Sequence, residues 1–557
     1  MQDLELGLQP DETRYTLPHF LEDVVERHAD REALRFGDLG LGYRELDQAV
    51  RDVARGLVAA GVVKGARVAV WMANRPEWVV ATFAAARLGA VVVPVNTFAK
   101  PDERDHILRH GDASVLLMQR DLGDIAFLDD LLDAHPGLEE GAPGRLRCPA
   151  LPQLRSVFCC GLDAGRGGVR PWSELARDGA EVDEALVDGL AGEVSPADDA
   201  LIIYTSGTTS LPKGVLHAQR APVVQSWRFA ESMGLSPEDR VFTAQPFFWT
   251  AGICMSLGAT LAAGGCLILE ERFEPGRALE RIESEGATTV HAWPHQEKAM
   301  AEHPDAQRRD LSRVRHVEFS SPLARLAGLE KDVWGTYGSY GLSETFTICS
   351  SIPASAPPEL RKATSGRTLP GNALRIVDPG SGQPLARGEK GEIAVKGATF
   401  MRGYYKVEPE RYLDADGYFH TQDGGWIDAD GYLHWTGRLS NLIKTGGANV
   451  SPLEIEAALS GLPELRVGMA VGVPHPTLGE AVVLCAVPSA GAAPDEEALL
   501  ATLRAKLAAY KVPRHVLFFT PEELEYTGNQ KIQVGPLRDK VLARLAADHV
   551  EIAGHRY

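Results

Sequence analysis

The densest run of reactive side chains in the sequence is Thr205-Ser-Gly-Thr-Thr-Ser-Leu-Pro-Lys213-Gly214, which combines hydroxyls, glycines and a lysine. Backbone N–H groups and hydroxyls in such a loop can bind phosphate oxygens, and glycines let the backbone approach them closely. A Walker A loop requires GxxxxGK[ST], whereas here a proline precedes Lys213 and a glycine follows it. The segment therefore predicts a phosphate-binding loop of another type, with a Ser/Thr-rich turn as the alternative.

Further motifs follow this loop, and each contains a side chain suited to nucleotide chemistry. Glu344, in Tyr-Gly-Leu-Ser-Glu, offers the oxygen ligands that Mg²⁺ prefers beside substrate phosphates. Asp423, in Thr-Gln-Asp, offers two acceptor oxygens, and Arg438, in Thr-Gly-Arg, offers several N–H donors. Lys531, in Thr-Gly-Asn-Gln-Lys, is a mobile point charge on a long stem. Each residue also has a simpler interpretation when it is taken singly. Glu344 could be a surface acid, Asp423 could belong to a Gly/Asp-rich turn, and Lys531 could be a solvated cation.

The order of the motifs resembles that of the adenylate-forming superfamily, which comprises acyl-CoA synthetases, peptide-synthetase adenylation domains and beetle luciferases. The phosphate loop, residues 340–344, 421–423 and 436–438, Gly446-Gly447-Ala-Asn-Val-Ser-Pro and Lys531 follow one another in the family's order. Near the start of the chain, Gly42-Tyr-Arg-Glu-Leu46 fits as well. The resemblance spans nearly the whole chain, and it is strongest to the AMP-forming acyl-CoA synthetases.

The resemblance implies a reaction in two halves. A carboxylate attacks the α-phosphorus of ATP to give an acyl-adenylate and pyrophosphate, and the thiol of CoA then attacks the activated carbonyl and releases AMP. ATP, Mg²⁺ and CoA are thus implied, with a fatty, aryl or polycyclic carboxylic acid as substrate. Lys531 would bridge the carboxylate and the α-phosphate, and Glu344 and Thr205 would hold the metal. Asp423 would accept hydrogen bonds from both ribose hydroxyls, and Arg438 would donate to the same ribose or to the α-phosphate region. The implied ATP-binding residues are Thr205, Ser206, Gly207, Thr208, Thr209, Lys213, Ser339, Tyr340, Gly341, Ser343, Asp423, Arg438 and Lys531.

The resemblance further implies an acyl pocket, a tunnel for CoA and a hinge. The acyl pocket would include Trp249, Gly252, Ile253 and Gly338, with Trp293 as a further candidate. The CoA tunnel would be lined by Lys444, Gly446 and Gly447. The C-terminal domain of the family rotates between the two half-reactions, and its pivot would lie at Ser440.

Four positions depart from the family's usual residues. Ser210 replaces a glycine of the phosphate loop, which costs on the order of 1 kcal/mol or more if the backbone there has positive φ. Ser440 replaces an aspartate or lysine. Residues 318–323 match the family's glycine-rich loop beside adenine only weakly. Trp249 replaces a common histidine, and its indole can gate the acyl pocket, offer a flat wall to a ring, or simply fill space.

Two other functions stay open from the sequence. In the first, the adenylate is passed to the thiol of a carrier protein or to an amine, although the segment after Lys531 is too short for a carrier domain. In the second, the chain is a nucleotide-binding regulator that has lost catalysis. Only Ser210 and Ser440 favour a regulator, whereas the intact Glu344, Asp423, Arg438 and Lys531 argue against it.

The elements that position these motifs alternate between strand and helix in the first third of the chain. Residues 67–72 and 90–95 are predicted strands, and between them a helix begins at Pro76-Glu77 and ends before Gly89. This order predicts a parallel sheet that is covered on both faces. Residues 201–204 predict a buried strand leading into the phosphate loop. The uncharged residues 251–269 are nearly long enough to span a bilayer, but their glycines favour a buried helix, a turn and a buried strand.

The last third has a different character. From about residue 374, short β-rich segments separated by Gly/Asp turns predict a small β-barrel or sheet. The predicted fold class is therefore α/β. A large N-terminal domain, residues 1–439, combines parallel α/β subdomains with the small β-barrel. A small mobile α+β C-terminal domain, residues 440–557, carries the catalytic lysine.

Composition limits the broad class of protein. The 557 residues are 44% hydrophobic and 24% charged, as in globular proteins, and the net charge of −19 disfavours nucleic acid as a partner. Seven cysteines without CxxC spacing predict reduced thiols rather than disulfides or a zinc site. No signal peptide is visible at the start of the sequence. We therefore expect a cytoplasmic protein without a transmembrane segment, and a homodimer is the commonest assembly for such proteins.

Overall fold

The computed structural model describes residues 12–205, 212–332, 338–353, 356–439, 442–445, 448–507, 509–526 and 532–557. The chain forms two compact units. The first consists of Met1–Ala373 with Val395–Gly417, and the second of Leu374–Ala394 with Tyr418–Tyr557. The sequence predicts a different boundary, at residue 440, where a mobile C-terminal domain would begin. That boundary stays a prediction.

The strands before residue 370 are mostly short and buried. They are β1 (Glu32–Phe36), β2 (Leu39–Gly42), β3 (Arg67–Trp71), β4 (Val91–Pro94), β5 (Val115–Gln119), β6 (Ser156–Cys160), β7 (Val169–Pro171), β8 (Asp199–Thr205), β9 (Lys213–Ala218), β10 (Arg240–Thr243), β11 (Cys266–Leu269), β12 (Thr289–His291), β13 (Ser350–Ser351) and β14 (Arg367–Thr368).

Helices alternate with these strands, as the sequence predicts. They are α1 (Leu17–His28), α2 (Tyr43–Ala59), α3 (Pro76–Arg87), α4 (Pro101–His110), α5 (Phe127–Ala134), α6 (Ser173–Gly179), α7 (Glu184–Gly192), α8 (Arg220–Ser232), α9 (Ala259–Ala263), α10 (Pro275–Ser284), α11 (Pro294–Ala301), α12 (Pro322–Leu326) and α13 (Pro358–Ala363).

The later part of the chain is richer in strands. It contains β15 (Asn372–Val377), β16 (Gly391–Gly397), β17 (Gly403–Tyr404), β18 (Phe419–Ile427), β19 (Leu433–Arg438), β20 (Ile443–Thr445), β21 (Ala448–Val450), α14 (Pro452–Leu459), β22 (Leu465–His475), β23 (Gly479–Pro488), α15 (Glu496–Lys506), β24 (His515–Phe518), α16 (Val534–Ala547), β25 (Glu551–Ile552) and β26 (His555–Arg556).

Two mixed sheets form the core of the first unit. An eight-stranded sheet has the order β17-β9-β8-β4-β3-β5-β6-β7, and a five-stranded sheet has the order β12-β10-β11-β1-β2. Strands β3 to β8 pair in parallel, whereas β9 returns antiparallel to β8 and β17 antiparallel to β9. The predicted parallel α/β architecture is confirmed. The antiparallel edge of the larger sheet carries the predicted phosphate loop.

Helix α3 shows why the sequence signals work locally. Pro76 stands at its first position, where a missing N–H costs least, and Glu77 lies in the first turn, where its charge suits the helix dipole. Gly89 follows the helix with φ +64°, a conformation that glycine adopts without strain. All but one of the helix residues are buried, so the helix is covered on all sides.

The uncharged segment 251–269 is folded as predicted, with one addition. Residues Gly252–Gly258 form a π-helix that continues into α9, Gly264 turns the chain at φ +77°, and β11 follows as a buried strand. A Cβ on Gly252 would clash with the backbone oxygen of Pro246, so glycine is required there. Among the described residues, none of the helices combines the length and the apolar character that crossing a bilayer demands.

The second unit contains two sheets of four or more strands. Strands β15, β16, β18 and β19 form a four-stranded sheet, so this β-rich part is the sheet that the sequence allows and not the small β-barrel named in the predicted fold class. Strands β21-β20-β23-β22, with β24 beside β23, form a five-stranded sheet against which α14 and α16 pack. This last part is the α+β unit that the sequence predicts after residue 440.

Candidate active site

The two ends of the predicted phosphate loop lie side by side. Strand β8 ends at Thr205, strand β9 begins at Lys213, and these two residues are paired partners in the antiparallel register. Lys213 is exposed. The remaining residues predicted to bind phosphate, Ser206, Gly207, Thr208 and Thr209, and the departure at Ser210 lie outside the described residues. The strand that the sequence predicts before the loop is confirmed.

Two histidines of helix α4 form hydrogen bonds with both ends of the hairpin that β8 and β9 form. His110 Nδ1 shares a hydrogen bond of 2.7 Å with the hydroxyl of Tyr204, and His106 Nε2 donates to the carbonyl oxygen of Pro212 at 3.0 Å. The two imidazoles stack with their centroids 5.1 Å apart. Burial, together with the neighbouring His106, lowers the pKa of His110, which favours a neutral ring.

Glu344 lies in a short 3₁₀ turn, Ser343–Thr345, whose backbone is anchored by buried side chains. His217 Nε2 donates to the oxygen of Ser343 at 2.8 Å, and Gln225 Nε2 lies 2.6–3.1 Å from three carbonyl oxygens, those of residues 345, 346 and 348. Burial lowers the pKa of His217 to about 3, so its ring is neutral near pH 7. Neutral donors thus fix the turn without adding charge beside the carboxylate.

The two residues that follow this turn have unusual backbone angles. Phe346 has φ +48° and Thr347 has φ +90°, although neither is a glycine. A β-branched threonine in this region is strained, and such strain persists only when the surroundings hold it. The hydrogen bonds from Gln225 and a contact of 3.2 Å between Thr347 Oγ1 and Cys254 Sγ provide that restraint.

The side chain of Glu344 contacts a residue that sequence reasoning misses. The hydroxyl of Tyr404 donates to Glu344 Oε1 at 2.6 Å, and Lys213 Nζ lies 5.2 Å from the centroid of the same tyrosine ring. Within the described ranges, Glu344 Oε2 has no hydrogen-bond partner. Nothing in the sequence singles out Tyr404, because its role depends on β17 pairing with β9.

The other residues of the Glu344 motif are tightly packed. Tyr340 is 6% exposed, and its backbone is bridged to Ser350 on β13. A Cβ on Gly341 would clash with the backbone oxygen of Thr347, and Gly338 has φ +71°. Ser339 Oγ lies 3.1 Å from Ser351 Oγ. The adenine-stacking role of Tyr340 stays a prediction.

In the second unit, Asp423 and Arg438 lie next to each other. They are paired across β18 and β19, and Arg438 Nε lies 3.0 Å from Asp423 Oδ1. The carboxylate is buried, whereas half of the arginine side chain is exposed. Arg438 also donates to the backbone oxygen of Thr421 at 3.2 Å. The residue expected to bind the ribose and the one expected to bind the ribose or the α-phosphate region are therefore adjacent.

Aromatic rings surround Trp249 in the region predicted to hold the acyl group. The indole of Trp249 makes edge-to-face contacts with Phe248, Trp293 and Phe98, with centroids 5.0, 6.2 and 6.3 Å apart. Trp249 and Trp293 are half-buried, and Phe98 is exposed. Ile253, one π-helical position after Gly252, is buried. The structure thus brings the two predicted tryptophans together.

The remaining predicted residues belong to the second unit. Lys444 is exposed on β20, and its backbone N–H donates to Glu480 Oε2 at 2.8 Å. Gly446, Gly447, the predicted hinge Ser440 and the predicted catalytic Lys531 lie outside the described residues. Their roles stay predictions.

Comparison with known proteins identifies the family. A family model described as "AMP-binding enzyme" matches residues 21–405, and its companion, "AMP-binding enzyme C-terminal domain", matches residues 454–531. The feruloyl-CoA synthase of Amycolatopsis sp is 33% identical over 518 residues, covering 91% of this chain and 95% of the relative.

A polycyclic-acid ligase and one solved structure extend this likeness. The 3-[(3aS,4S,7aS)-7a-methyl-1,5-dioxo-octahydro-1H-inden-4-yl]propanoyl:CoA ligase of Mycobacterium tuberculosis is 32% identical, covering 90% of this chain and 95% of the relative. The structure of the amide bond synthetase McbA from Marinactinospora thermotolerans superposes with a TM-score of 0.74 at 27% identity, covering 94% of this chain and 99% of that one. The chain therefore belongs to the adenylate-forming superfamily of AMP-binding enzymes, and within it to the AMP-forming acid–CoA ligases, which use ATP and CoA.

Proposed function

We propose that this chain converts an aryl or polycyclic carboxylic acid into its CoA thioester. The observation that carries the acid class is the aromatic wall of Trp249, Trp293 and Phe248 in the predicted acyl region. Aromatic rings prefer edge-to-face or offset packing against other rings, so this wall suits a flat or polycyclic acid better than a linear chain. The names of the feruloyl and indenyl-propanoyl relatives support the same class.

The first half-reaction brings two anions together. The substrate carboxylate attacks the α-phosphorus of ATP, the bond from that phosphorus to the bridging oxygen breaks, and pyrophosphate leaves. Catalysis must neutralise charge and hold the reactants in line. In our proposal, Thr205 and Lys213 bind the phosphates, and Lys531 bridges the carboxylate and the α-phosphate. Asp423 and Arg438 bind the ribose.

Glu344 is the proposed ligand for Mg²⁺, and its surroundings fit that ion. Oxygen Oε1 is held by Tyr404, whereas Oε2 is free of hydrogen bonds to the described residues. Among those residues no group of three or more His, Cys, Asp or Glu side chains could hold a metal alone. A single carboxylate suits Mg²⁺, which usually keeps waters and substrate phosphates as its other ligands. When bound, the ion neutralises phosphate charge.

The second half-reaction uses the thiol of CoA. Its sulfur attacks the carbonyl carbon of the acyl-adenylate, the bond from that carbon to the phosphate oxygen breaks, and AMP leaves. We propose that Lys444, Gly446 and Gly447 line the path of CoA, and that the C-terminal domain turns about Ser440 between the halves. An amine acceptor is the second candidate, supported by the structural likeness to an amide bond synthetase.

We also propose the cytoplasm as the location of this protein. All seven cysteines are buried thiols outside any disulfide, and burial raises the pKa of the thiols of Cys159, Cys254, Cys266 and Cys485 to about 12. Protonated buried thiols are unreactive and suit a reducing compartment. A homodimer stays a prediction.

Pyrophosphate release from ATP over a panel of acids tests the function. The panel contains cinnamate-type, polycyclic and fatty acids, each with CoA, with an amine, or with neither. We expect release that depends on the acid, turns over faster with CoA, and is fastest for an aryl or polycyclic acid. Trp249→Leu should lower the rate for these acids more than for fatty acids, because the aromatic wall is lost.

The matched control is Trp227→Leu, which removes another half-buried tryptophan, one that packs on Phe20 instead. Fatty acids that remain the best substrates in both the wild type and Trp249→Leu would contradict the acid class. Turnover with the amine but not with CoA would show that the acceptor is an amine and not CoA. Wild-type protein that releases no pyrophosphate with any acid would contradict the function.

A further inference from the structure

Tyr404 lies between two charged groups that the proposed function assigns to ATP. Its hydroxyl donates to Glu344 Oε1 at 2.6 Å, and Lys213 Nζ lies 5.2 Å from the centroid of its ring. Within the described part of the chain, Lys213 forms no ion pair. One half-buried ring thus contacts a carboxylate through its edge oxygen and an ammonium group through its face.

Strand pairing explains this arrangement. Tyr404 on β17 is directly opposite Val215 on β9 in the antiparallel register. Lys213 is two residues before Val215, and alternate residues of a strand share a face. Diagonal neighbours on one face lie about 7–8 Å apart, within reach of aromatic and long side chains. Lys213 and Tyr404 therefore project from the same face of the sheet.

The neighbouring Tyr405 projects from the opposite face and has a different environment. Its hydroxyl donates to Asp112 Oδ2 at 2.8 Å and accepts from Arg67 Nη2 at 2.8 Å. Its ring contacts the imidazole of His110 on helix α4. Two consecutive tyrosines thus have similar chemistry and similar burial, but only one of them touches the proposed ATP-binding groups.

We propose that Tyr404 is a positioning residue that keeps Glu344 and Lys213 separate and separately available for Mg²⁺ and ATP phosphates. This inference rests on the proposed function. The hydrogen bond fixes Oε1 and so directs Oε2 away from the tyrosine. The ring occupies the space in which the ammonium group and the carboxylate would otherwise meet.

The physical reason is the tendency of opposite charges to pair. A lysine and a glutamate that form an ion pair would have to lose it before either could bind a ligand, which weakens binding at both groups. Tyrosine prevents this because its face attracts the cation while its hydroxyl binds the anion. Phenylalanine would keep the ring as a spacer but lose the hydrogen bond, and leucine would lose both.

Calorimetric titration of the full-length protein with ATP, with and without Mg²⁺, tests the inference. We expect Tyr404→Phe to weaken the binding of MgATP about tenfold, as expected for the loss of a hydrogen bond to a charged group, and to affect ATP alone less. We expect Tyr404→Leu to weaken both, because Lys213 and Glu344 can then pair. The control Tyr405→Phe should leave both affinities within about twofold of the wild type.

A double-mutant cycle separates this role from a general loss of structure. If Tyr404 acts through Glu344, Tyr404→Phe should have no further effect on MgATP binding in a Glu344→Gln background. Additive effects, or equal losses for Tyr404→Phe and Tyr405→Phe, overturn the inference. If the wild type binds MgATP and Tyr404→Phe binds it equally well, the inference alone fails. If the wild type binds no ATP, the proposed function fails with it.

Discussion

The carboxylates of Glu344 and Asp423 are held in different ways, and the difference fits different ligands. Glu344 is half-buried and accepts a hydrogen bond from a tyrosine hydroxyl, and among the described residues it forms no ion pair that would cancel its negative charge. Asp423 is buried against the guanidinium of Arg438, which compensates its charge. An uncompensated carboxylate attracts a cation, whereas a compensated one is suited to accept hydrogen bonds from neutral hydroxyls.

Lys531 is the residue that we expect to act in the first half-reaction and not in the second. We expect Lys531→Ala to abolish acid-dependent pyrophosphate release, because no cation then bridges the carboxylate and the α-phosphate. The same variant should still convert preformed acyl-adenylate and CoA into the thioester. Both half-reactions are measured separately, by pyrophosphate release and by thioester formation.

The control for this variant is Lys540→Ala on α16, whose ammonium group donates to the backbone oxygen of Glu523. It removes a lysine from the same unit that lies outside the Lys531 motif in sequence and that pairs with Glu525. If Lys531→Ala retained pyrophosphate release at the rate of Lys540→Ala, the assignment of the catalytic lysine would be wrong.

At the scale of elements, the sequence predicts the helices and strands that are marked by residues at their own ends or by their own apolar pattern. Pro76, Glu77 and Gly89 mark the ends of α3, and the strand before the phosphate loop follows from its apolar run. The π-helix at Gly252–Gly258 and the positive φ of Thr347 are not predictable, because tertiary contacts impose them against local preference.

The same distinction explains which parts of the site the sequence can reveal. The resemblance to the family implies that Asp423 and Arg438 act on the same nucleotide, and the hairpin of β18 and β19 brings them side by side. Tyr404 belongs to no motif, and it reaches Glu344 only because β17 pairs with β9, where its partner is Val215. This pairing joins segments that are distant in sequence, and neither segment carries a local signal for it.

Gly341 tests how closely the Glu344 turn must be packed. A Cβ at this position would clash with the backbone oxygen of Thr347 and with Cα of Ile348, neither of which can move independently of the strained segment. We expect Gly341→Ala to destabilise the protein by about 1–3 kcal/mol, as overpacking does, and to lower pyrophosphate release because Glu344 is displaced. Thermal unfolding and the pyrophosphate assay measure the two effects.

The matched control is Gly189→Ala in helix α7, where an added Cβ meets no atom within 4 Å. Replacing a helical glycine with alanine stabilises by about 0.5–1 kcal/mol, so this variant should unfold at a slightly higher temperature. Equal stability of the two alanine variants would show that the close approach at Gly341 does not restrain the turn.

At the scale of the whole molecule, buried ionisable groups make stability depend on pH in opposite directions. Burial lowers the pKa values of His217 and His291 to about 3, below their unfolded value of 6.5. The unfolded chain therefore takes up protons that the folded chain does not, and these two residues reduce stability as the pH falls below about 6.5. Glu297 has the opposite effect, because burial and the nearby Glu318 raise its pKa to about 7.

Glu297→Gln isolates one of these contributions. Below its unfolded pKa of 4.5 the carboxyl is protonated in both states, whereas above about pH 7 the folded protein must hold a buried charge. Wild-type stability is thus lost as the pH rises through this window, and a glutamine does not titrate. We expect the unfolding temperature of Glu297→Gln to exceed that of the wild type by more at pH 8 than at pH 5. Glu302→Gln, which removes an exposed carboxylate after the end of the same helix, is the control, and a difference that stays constant between the two pH values would contradict the buried, ionisable state of Glu297.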